Sequence, residues 1–246
     1  MKRVLVVGSN HGLGYTVVKQ YLEEGSLVFG TVLPGSKDVH KELLEKYPDT
    51  LVDVEMDVSD ENSVKAALEE VKGRTDALDI VVNVAGILPK NSGLPLEETN
   101  LEDCVKAFNI NTLGALRVAK YALPLVRKGE EKTILNVASA GGSLTHITKL
   151  DPTTDDYPYA YCMSKSALIM GSAILQRYVK PDGIKIICIH PGVMRTPMND
   201  FADEGMKKTL VDPEISATSV RQLIQFHKGD VEGPLFYNYT GEVFPF

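Results

Sequence analysis

Residues 4–14 read VLVVGSNHGLG, a short apolar and β-branched run that leads directly into three glycines. The run predicts a buried strand, and the glycines predict a tight turn into a helix, because glycine allows close approach of the backbone. The N-terminus of such a helix presents free N–H groups and a positive dipole end, which suit a pyrophosphate. The spacing of Gly8, Gly12 and Gly14 differs from the commoner Gly-x-Gly-xx-Gly, so a turn that binds no ligand stays an open alternative.

Strand-like and helix-like segments alternate along the whole chain. The strand-like segments are 4–7, 27–32, 51–56, 78–83, 133–137, 185–189 and 235–237. The helix-like segments are 15–24, 40–47, 61–71, 101–126, 160–179 and 217–227. This alternation predicts parallel β-α-β crossovers, and the almost wholly apolar strands predict a sheet covered on both faces. We therefore predict one α/β domain over residues 1–246, a doubly wound Rossmann-type fold with a mostly parallel sheet of about seven strands.

Three irregular stretches, 86–98, 140–158 and 193–215, each follow a predicted strand. Ligands of doubly wound folds bind beyond the carboxyl ends of the strands, so we expect all three stretches to rim one cleft. Within the third stretch, Gly205 and the charges around it make 197–213 a candidate lid over that cleft. The tail at 241–246 is apolar enough to close a pocket or to pack on a partner.

The composition narrows the classes of function. The chain of 246 residues carries a formal net charge of −7, which argues against nucleic acid, whose phosphates require a basic face. No apolar run reaches the roughly 18 residues of a membrane span, so we predict no membrane partner. Cys104, Cys162 and Cys188 form no CxxC motif and no Cys/His cluster, so we predict no metal site. We interpret them as free thiols of a protein in the reducing cytoplasm.

The segment YCMSK, residues 161–165, places Tyr161 one helical turn before Lys165. Side chains at this spacing lie on one helix face, with Cβ atoms roughly 5–6 Å apart. An ammonium at that distance favours the phenolate over the phenol, so the pair predicts a proton donor and acceptor that works near neutral pH. Tyr157 and Tyr159 are nearby rivals, but neither lies one turn from Lys165.

Further motifs occur in a fixed order around this pair, namely NVAG at 83–86 after the fourth strand, Ser139 after the fifth and PG at 191–192 after the sixth. With the glycine turn, these motifs make residues 2 to 196 resemble the one-domain branch of the short-chain dehydrogenase/reductase family. The resemblance implies an NAD(P)-dependent oxidoreductase that transfers hydride between nicotinamide and a carbonyl compound or secondary alcohol. Asn10 and His11 in the turn, and the aromatic tail, are similar to carbonyl-reductase-type members, the sniffer and C-factor group.

The same resemblance implies a role for each candidate catalytic residue. Tyr161 is expected to donate the proton, Ser139 to hold the carbonyl oxygen, and Lys165 to bind the nicotinamide ribose. Asn111 is expected to hold a water that connects Lys165 to solvent. Ser143 is an alternative to Ser139, and Asn109 to Asn111.

The cofactor contacts implied by the resemblance run along the predicted cleft. They are Gly8, Asn10, His11, Gly12, Leu13, Gly14, Val32, Lys37, Asp57, Val58, Asn83, Ala85, Gly86, Tyr161, Lys165, Pro191, Gly192, Val193 and Thr196. Asp57 is expected to receive the adenine amine, although it could instead cap a helix. Val32 and Leu33 stand where NAD-dependent members carry an acid, so we predict NADP(H) rather than NAD(H). Lys37 is either a partner of the 2′-phosphate or a solvated loop lysine.

The chain between Ser139 and Tyr161 is longer than the family usually has, and loop 145–156 either overhangs the cleft or is only solvated. The expected substrate contacts are Leu88, Gly142, His146, Tyr157 and Met194, around a small to medium carbonyl compound. The resemblance also implies a homodimer or homotetramer that pairs helices 101–126 and 160–179. Two alternatives stay open: a non-catalytic NADP-binding redox sensor, and an epimerase or dehydratase on the same scaffold.

Overall fold

The computed structural model describes residues 1–36, 38–90, 94–150, 158–199 and 210–246. Its strands are β1 (Arg3–Val7), β2 (Leu27–Val32), β3 (Leu51–Glu55), β4 (Ile80–Asn83), β5 (Thr133–Val137), β6 (Lys185–His190) and β7 (Phe236–Asn238). They form one sheet in the order β3-β2-β1-β4-β5-β6-β7, and every neighbouring pair is parallel. The predicted doubly wound α/β fold is confirmed, and these strands are all parallel, where the sequence predicted a mostly parallel sheet.

The α-helices are α1 (Gly12–Glu23), α2 (Lys41–Lys46), α3 (Glu61–Arg74), α4 (Leu101–Ala107), α5 (Gly114–Val126), α6 (Leu144–Ile147), α7 (Tyr159–Val179) and α8 (Pro213–His227). A π-helix, Phe108–Leu113, joins α4 to α5, so the predicted helix 101–126 is interrupted at its centre. Short 3-10 helices occupy Leu96–Glu98, Ala140–Gly142, Lys180–Asp182 and Pro197–Asn199. Within the described ranges, no helix is long and apolar enough to cross a membrane.

Both faces of the sheet are buried, which is why the strands read as apolar throughout. Leu5 and Val7 point into a core with α3, α5 and the C-terminal end of α7. Val4 and Val6, between them in sequence, point into a second core with α1, α2 and α8. Successive side chains of a strand point to opposite faces, so this alternation follows directly from the β geometry.

Candidate active site

A cavity of about 1280 Å³ lies at the carboxyl ends of the strands. Its wall is built from the turn after β1 and from the segments that follow β2, β3, β4, β5 and β6. Leu88, His146, Pro158, Val193 and Met194 line it, so each predicted rim contributes described residues. Three parts of those rims, residues 91–93, 151–157 and 200–209, lie outside the described residues. Most of the predicted lid, 197–213, lies outside them as well.

The glycine turn brings the backbone close to the cavity without room for side chains. Gly8 has a φ of +83°, and a Cβ there would lie 2.7 Å from the backbone of Ala85. Gly12 has a φ of +56°, and its Cβ would lie 2.9 Å from Thr196 Cγ2. Both glycines line the cavity, which leaves space there for the close approach of an anionic ligand.

Helix α7 presents Tyr161 and Lys165 to the same cavity. The Lys165 Nζ lies 5.6 Å from the centroid of the Tyr161 ring and donates a 2.7 Å hydrogen bond to the Val137 carbonyl oxygen. Lys165 is buried, and this burial lowers the pKa of its ammonium to about 8. The ammonium therefore still carries its charge at pH 7.

The electrostatic environment of Tyr161 is dominated by its burial. Burial raises the pKa of its phenol to about 12, although a hydrogen bond with Ser139 acts in the opposite direction. Desolvation outweighs the hydrogen bond with Ser139, so Tyr161 is a neutral phenol at pH 7. The expectation that Lys165, together with an oxidised nicotinamide ring, brings this pKa down towards neutrality stays a prediction.

Ser139 and its rival Ser143 have different partners. Ser139 follows β5 and lines the cavity, where it lowers the pKa of Tyr161, and its Oγ accepts a 3.2 Å bond from the Gly141 N–H. Ser143 is fully buried, and its Oγ accepts from the His146 N–H as the N-cap of α6. The geometry therefore brings Ser139, Tyr161 and Lys165 together and leaves Ser143 out.

Asn111 lies in the π-helix behind the cavity wall and is buried. Its Nδ2 donates to the Ile87 carbonyl oxygen and to Ser164 Oγ, both at 2.9 Å, and its Oδ1 accepts from the Ile87 N–H at 2.7 Å. These contacts use both N–H groups of the side chain. That Asn111 holds a water for Lys165 stays a prediction. The rival Asn109 binds the Arg117 guanidinium and the Ser59 carbonyl oxygen instead.

Asp57 lines the cavity after β3, beside Val58. Its Oδ1 accepts from the N–H and the hydroxyl of Ser59, at 2.8 and 2.7 Å. The N-cap of α3 is Asp60, which accepts from the Asn62 N–H. The alternative that Asp57 caps this helix is therefore wrong.

Several predicted contacts do not line the cavity. Val32 is buried, and the half-exposed Leu33 faces the cavity in its place. Asn83 donates to Asn136 Oδ1 inside the sheet. A Cβ on Gly14 would lie 2.1 Å from the Gly8 carbonyl oxygen, and one on Gly142 would lie 2.8 Å from the backbone of Lys165. Asn83, Gly14 and Gly142 therefore set distances between elements of the fold. Other predicted contacts do line the cavity, namely Asn10, His11, Leu13, Gly86, Pro191 and Gly192. Lys37 and Tyr157 lie outside the described residues.

Sequence reasoning missed one wall of the cavity, which includes His190, Tyr239 and Phe244. The Phe244 ring lies 5.8 Å from the His146 ring and 5.6 Å from the His190 ring, between centroids. Burial lowers the pKa of His190 to about 4, so its imidazole is neutral at pH 7. The apolar tail was the available signal, but it did not indicate which pocket it closes.

Comparisons with known proteins agree with this geometry. A family model described as enoyl-(acyl carrier protein) reductase matches residues 7–222. An uncharacterised oxidoreductase of Schizosaccharomyces pombe is 29% identical over 100% of this chain and 98% of its own length. The short chain dehydrogenase mpl6 of Monascus purpureus is 30% identical over 91% of this chain and 76% of its own.

Two solved structures superpose over the whole chain. The NADPH-bound carbonyl reductase from chicken fatty liver has a TM-score of 0.85 at 25% identity, covering 100% of this chain and 99% of that one. The carbonyl reductase Sniffer of Drosophila melanogaster has a TM-score of 0.83 at 25% identity and covers 100% of both chains.

Proposed function

Because this chain belongs to the short-chain dehydrogenase/reductase family of NAD(P)-dependent oxidoreductases, we propose that it is a carbonyl reductase with Tyr161 as proton donor. The observation that carries the proposal is that Tyr161, Ser139 and Lys165 line the same cavity as the glycine turn, with Lys165 Nζ 5.6 Å from the centroid of the Tyr161 ring. On this proposal, residues 1–246 act as one cofactor-binding and catalytic domain.

The cavity fits a nicotinamide cofactor at several places. Gly8 and Gly12 line the cavity without a side chain, and a Cβ would collide with Ala85 at Gly8 and with Thr196 at Gly12, so bare backbone is offered there to a pyrophosphate. Asp57 and Val58, which the resemblance assigns to the adenine, and Thr196, which it assigns to the carboxamide end, all line the cavity. When bound, the cofactor supplies the hydride. The protein supplies the position of the substrate and the charge around it.

Three side chains share the proton chemistry in this proposal. Tyr161, a neutral phenol at pH 7, donates its proton to the carbonyl oxygen, and Ser139 hydrogen-bonds the same oxygen to hold it in line. The phenolate that remains is costly. The pKa of Tyr161 lies about two units above the usual 10, which corresponds to a free-energy cost of ionisation of about 3 kcal/mol. The Lys165 ammonium is the nearby cation that offsets this cost.

Asn111 has a positioning role in this account. Its side chain joins the backbone at Ile87, after β4, to Ser164, which precedes Lys165 on α7. Gly86 permits this arrangement, since a Cβ there would lie 3.1 Å from Asn111 Oδ1 and 3.4 Å from Lys165 Nζ. Asn111 thereby fixes the distance between the segment after β4 and the helix that carries Tyr161.

We also propose that NADP(H) is preferred over NAD(H). Leu33 puts no carboxylate at the end of β2, and its N–H donates to Asn10 Oδ1, whose amide in turn donates to Ser36 Oγ. These uncharged polar groups do not repel a 2′-phosphate. The chicken carbonyl reductase, solved with NADPH, supports the same preference. The expected kcat/KM is at least about tenfold higher with NADPH than with NADH, and more efficient use of NADH would contradict this part of the proposal.

A panel of ketones, aldehydes and alcohols, followed by the absorbance of reduced nicotinamide, tests the activity itself. Turnover of uncharged carbonyl compounds is expected, because Leu88, Met194 and Phe244 give an apolar wall. Cofactor binding without turnover of any compound would favour the non-catalytic redox sensor. The homo-oligomeric state and the cytoplasmic location stay predictions.

A further inference from the structure

His40 is fully buried just before α2, with its imidazole between β3 and the glycine turn. Its Nδ1 lies 2.5 Å from Asp53 Oδ1, and its Nε2 lies 2.9 Å from the carbonyl oxygen of Ser9. The Tyr15 ring of α1 stands beside it, with centroids 5.7 Å apart. His40 does not line the cavity, and the chemistry proposed above does not use it.

The sequence makes room for this ring at one position of β2. Gly30 pairs with Asp53 in the register of β2 and β3. A Cβ on Gly30 would lie 3.0 Å from His40 Cε1 and 3.1 Å from Ser9 Oγ. The absent side chain therefore lets the imidazole lie against the sheet and reach the turn.

With Asp53 as a carboxylate, the two contacts of His40 require two N–H donors. The carbonyl oxygen of Ser9 can only accept a hydrogen bond, and an ionised Asp53 carboxylate can only accept as well. A neutral imidazole has one N–H, so one of the two contacts would then face a bare nitrogen. A buried polar atom without a partner is costly, and a buried charge persists when a counter-charge accompanies it.

We propose that His40 is held as a doubly protonated cation behind the glycine turn and acts as a positioning residue for the cofactor phosphates. The inference rests on the proposed cofactor use of this cavity. Asp53 lies on the far side of the ring, so the positive end of the pair faces the turn. The cation adds to the field of the helix N-terminus at the place where a pyrophosphate would lie.

The contact with Ser9 also completes the attachment of the turn to β2. The Ser9 N–H and Oγ both donate to the Thr31 carbonyl oxygen, at 2.9 and 2.8 Å, and the Gly8 N–H donates to Thr31 Oγ1. His40 holds the remaining polar group of Ser9, its carbonyl oxygen. Ser9 is thereby held at all three of its polar groups, directly before Asn10 and His11, which line the cavity.

The variant Asp53→Asn removes the negative charge next to His40 but keeps the size of the side chain. An asparagine amide can donate to the Nδ1 of a neutral His40, whose Nε2–H can still bind Ser9, so the contacts persist and the cation is lost. We expect the Kd for NADPH to rise about tenfold, which corresponds to about 1.4 kcal/mol, and the KM for NADPH to rise more than kcat falls. Asp49→Asn, an exposed acid between α2 and β3, removes the same charge without touching His40 and is expected to bind NADPH as the wild type does.

Nitrogen NMR of the ligand-free protein at pH 7 reports the charge state directly, with the His40 signals assigned from their loss in His40→Gln. We expect protons on both ring nitrogens in the wild type and on one in Asp53→Asn. A single protonated nitrogen in the wild type would overturn the inference, and so would unchanged NADPH affinity in Asp53→Asn. If the wild type fails to bind NADPH, the proposed function is contradicted, and so is the role of His40 in cofactor binding. The NMR measurement still decides independently whether the His40 ring is a cation.

Discussion

At Tyr161 and Lys165, burial moves the two pKa values in opposite directions. It raises the phenol pKa to about 12 and lowers the ammonium pKa to about 8, because desolvation penalises the charged form of each group. At pH 7 the pair is therefore a neutral acid beside a cation. This is the state required for carbonyl reduction, in which the phenol gives up its proton.

The pKa of Lys165 predicts a basic limit on activity. The lysine is charged below about pH 8 and neutral above it, so stabilisation of the phenolate is lost as the pH rises through this value. We expect kcat/KM for NADPH, which reports ionisations of the free enzyme, to be level near pH 7 and to fall above about pH 8 with the loss of one proton. A rate that stays level well above that pH, or Lys165→Met with the rate of the wild type, would contradict the assignment.

Sequence alone predicted the residues of the site better than their environments. Helical spacing put Tyr161 and Lys165 on one face, and the glycine turn followed from local conformational limits. The pKa of Tyr161 was not predictable in this way, because its desolvation depends on how α7 packs against elements distant in sequence, among them the π-helix Phe108–Leu113. His40 was missed for the same reason, since Ser9 and Asp53 are its neighbours only in the folded chain.

At the scale of elements, the π-helix Phe108–Leu113 shows where sequence periodicity stops being informative. The apolar spacing over 101–126 continues through the segment, so it predicts one uninterrupted helix. The interruption coincides with Asn111, whose side chain binds the backbone at Ile87 on a different segment. π-segments often occur at functional sites, and this one aligns the wall of the cavity with α7.

Gly142 controls the distance between the segment after β5 and α7. A Cβ would lie 2.8 Å from the backbone carbon of Lys165 and 2.9 Å from Ile169 Cδ1, so Gly142→Ala must displace the helix that carries Tyr161. We expect kcat to fall by about tenfold or more and the free energy of unfolding to fall by about 1–3 kcal/mol. Activity assays and urea unfolding measure the two effects.

Gly73→Ala is the matched control, because Gly73 lies in α3 with no atom within 4 Å of the added Cβ. It is expected to raise stability by about 0.5–1 kcal/mol and to leave kcat unchanged. If kcat and the free energy of unfolding change equally in the two variants, close contact with α7 is not the reason why position 142 requires glycine.

At the scale of the whole molecule, the alternation of strands and helices predicted the layers, and parallel strands then placed the irregular segments at one edge. The position of the C-terminal segment did not follow from this reasoning. Phe244 reaches the cavity because its N–H binds the Phe236 carbonyl oxygen, and because the Phe246 carbonyl oxygen accepts from Thr145. Hydrogen bonds between segments that lie far apart in sequence leave no local pattern from which they could be predicted.

The surface of α4, the start of the π-helix and α7 carries exposed apolar side chains that a second copy of the chain is proposed to cover. They are Val105, Phe108, Met163, Met170, Ile174 and Tyr178. We expect the wild type to sediment as a homodimer or homotetramer and Met170→Glu to dissociate at this surface, because a buried unpaired charge is costly. Lys65→Glu on the exposed face of α3 is the control and should leave the assembly intact. A monomeric wild type would contradict the proposed pairing.

The most direct test of the central claim is turnover of a carbonyl compound by Tyr161→Phe, measured beside direct binding of NADPH. Removing one hydroxyl should abolish nearly all turnover, with a loss of about a hundredfold or more, and leave NADPH affinity close to that of the wild type. Tyr159→Phe, half-exposed two residues earlier on α7 and outside the cavity, should retain full activity. Retained turnover in Tyr161→Phe would contradict the account of this protein as a reductase with a tyrosine proton donor.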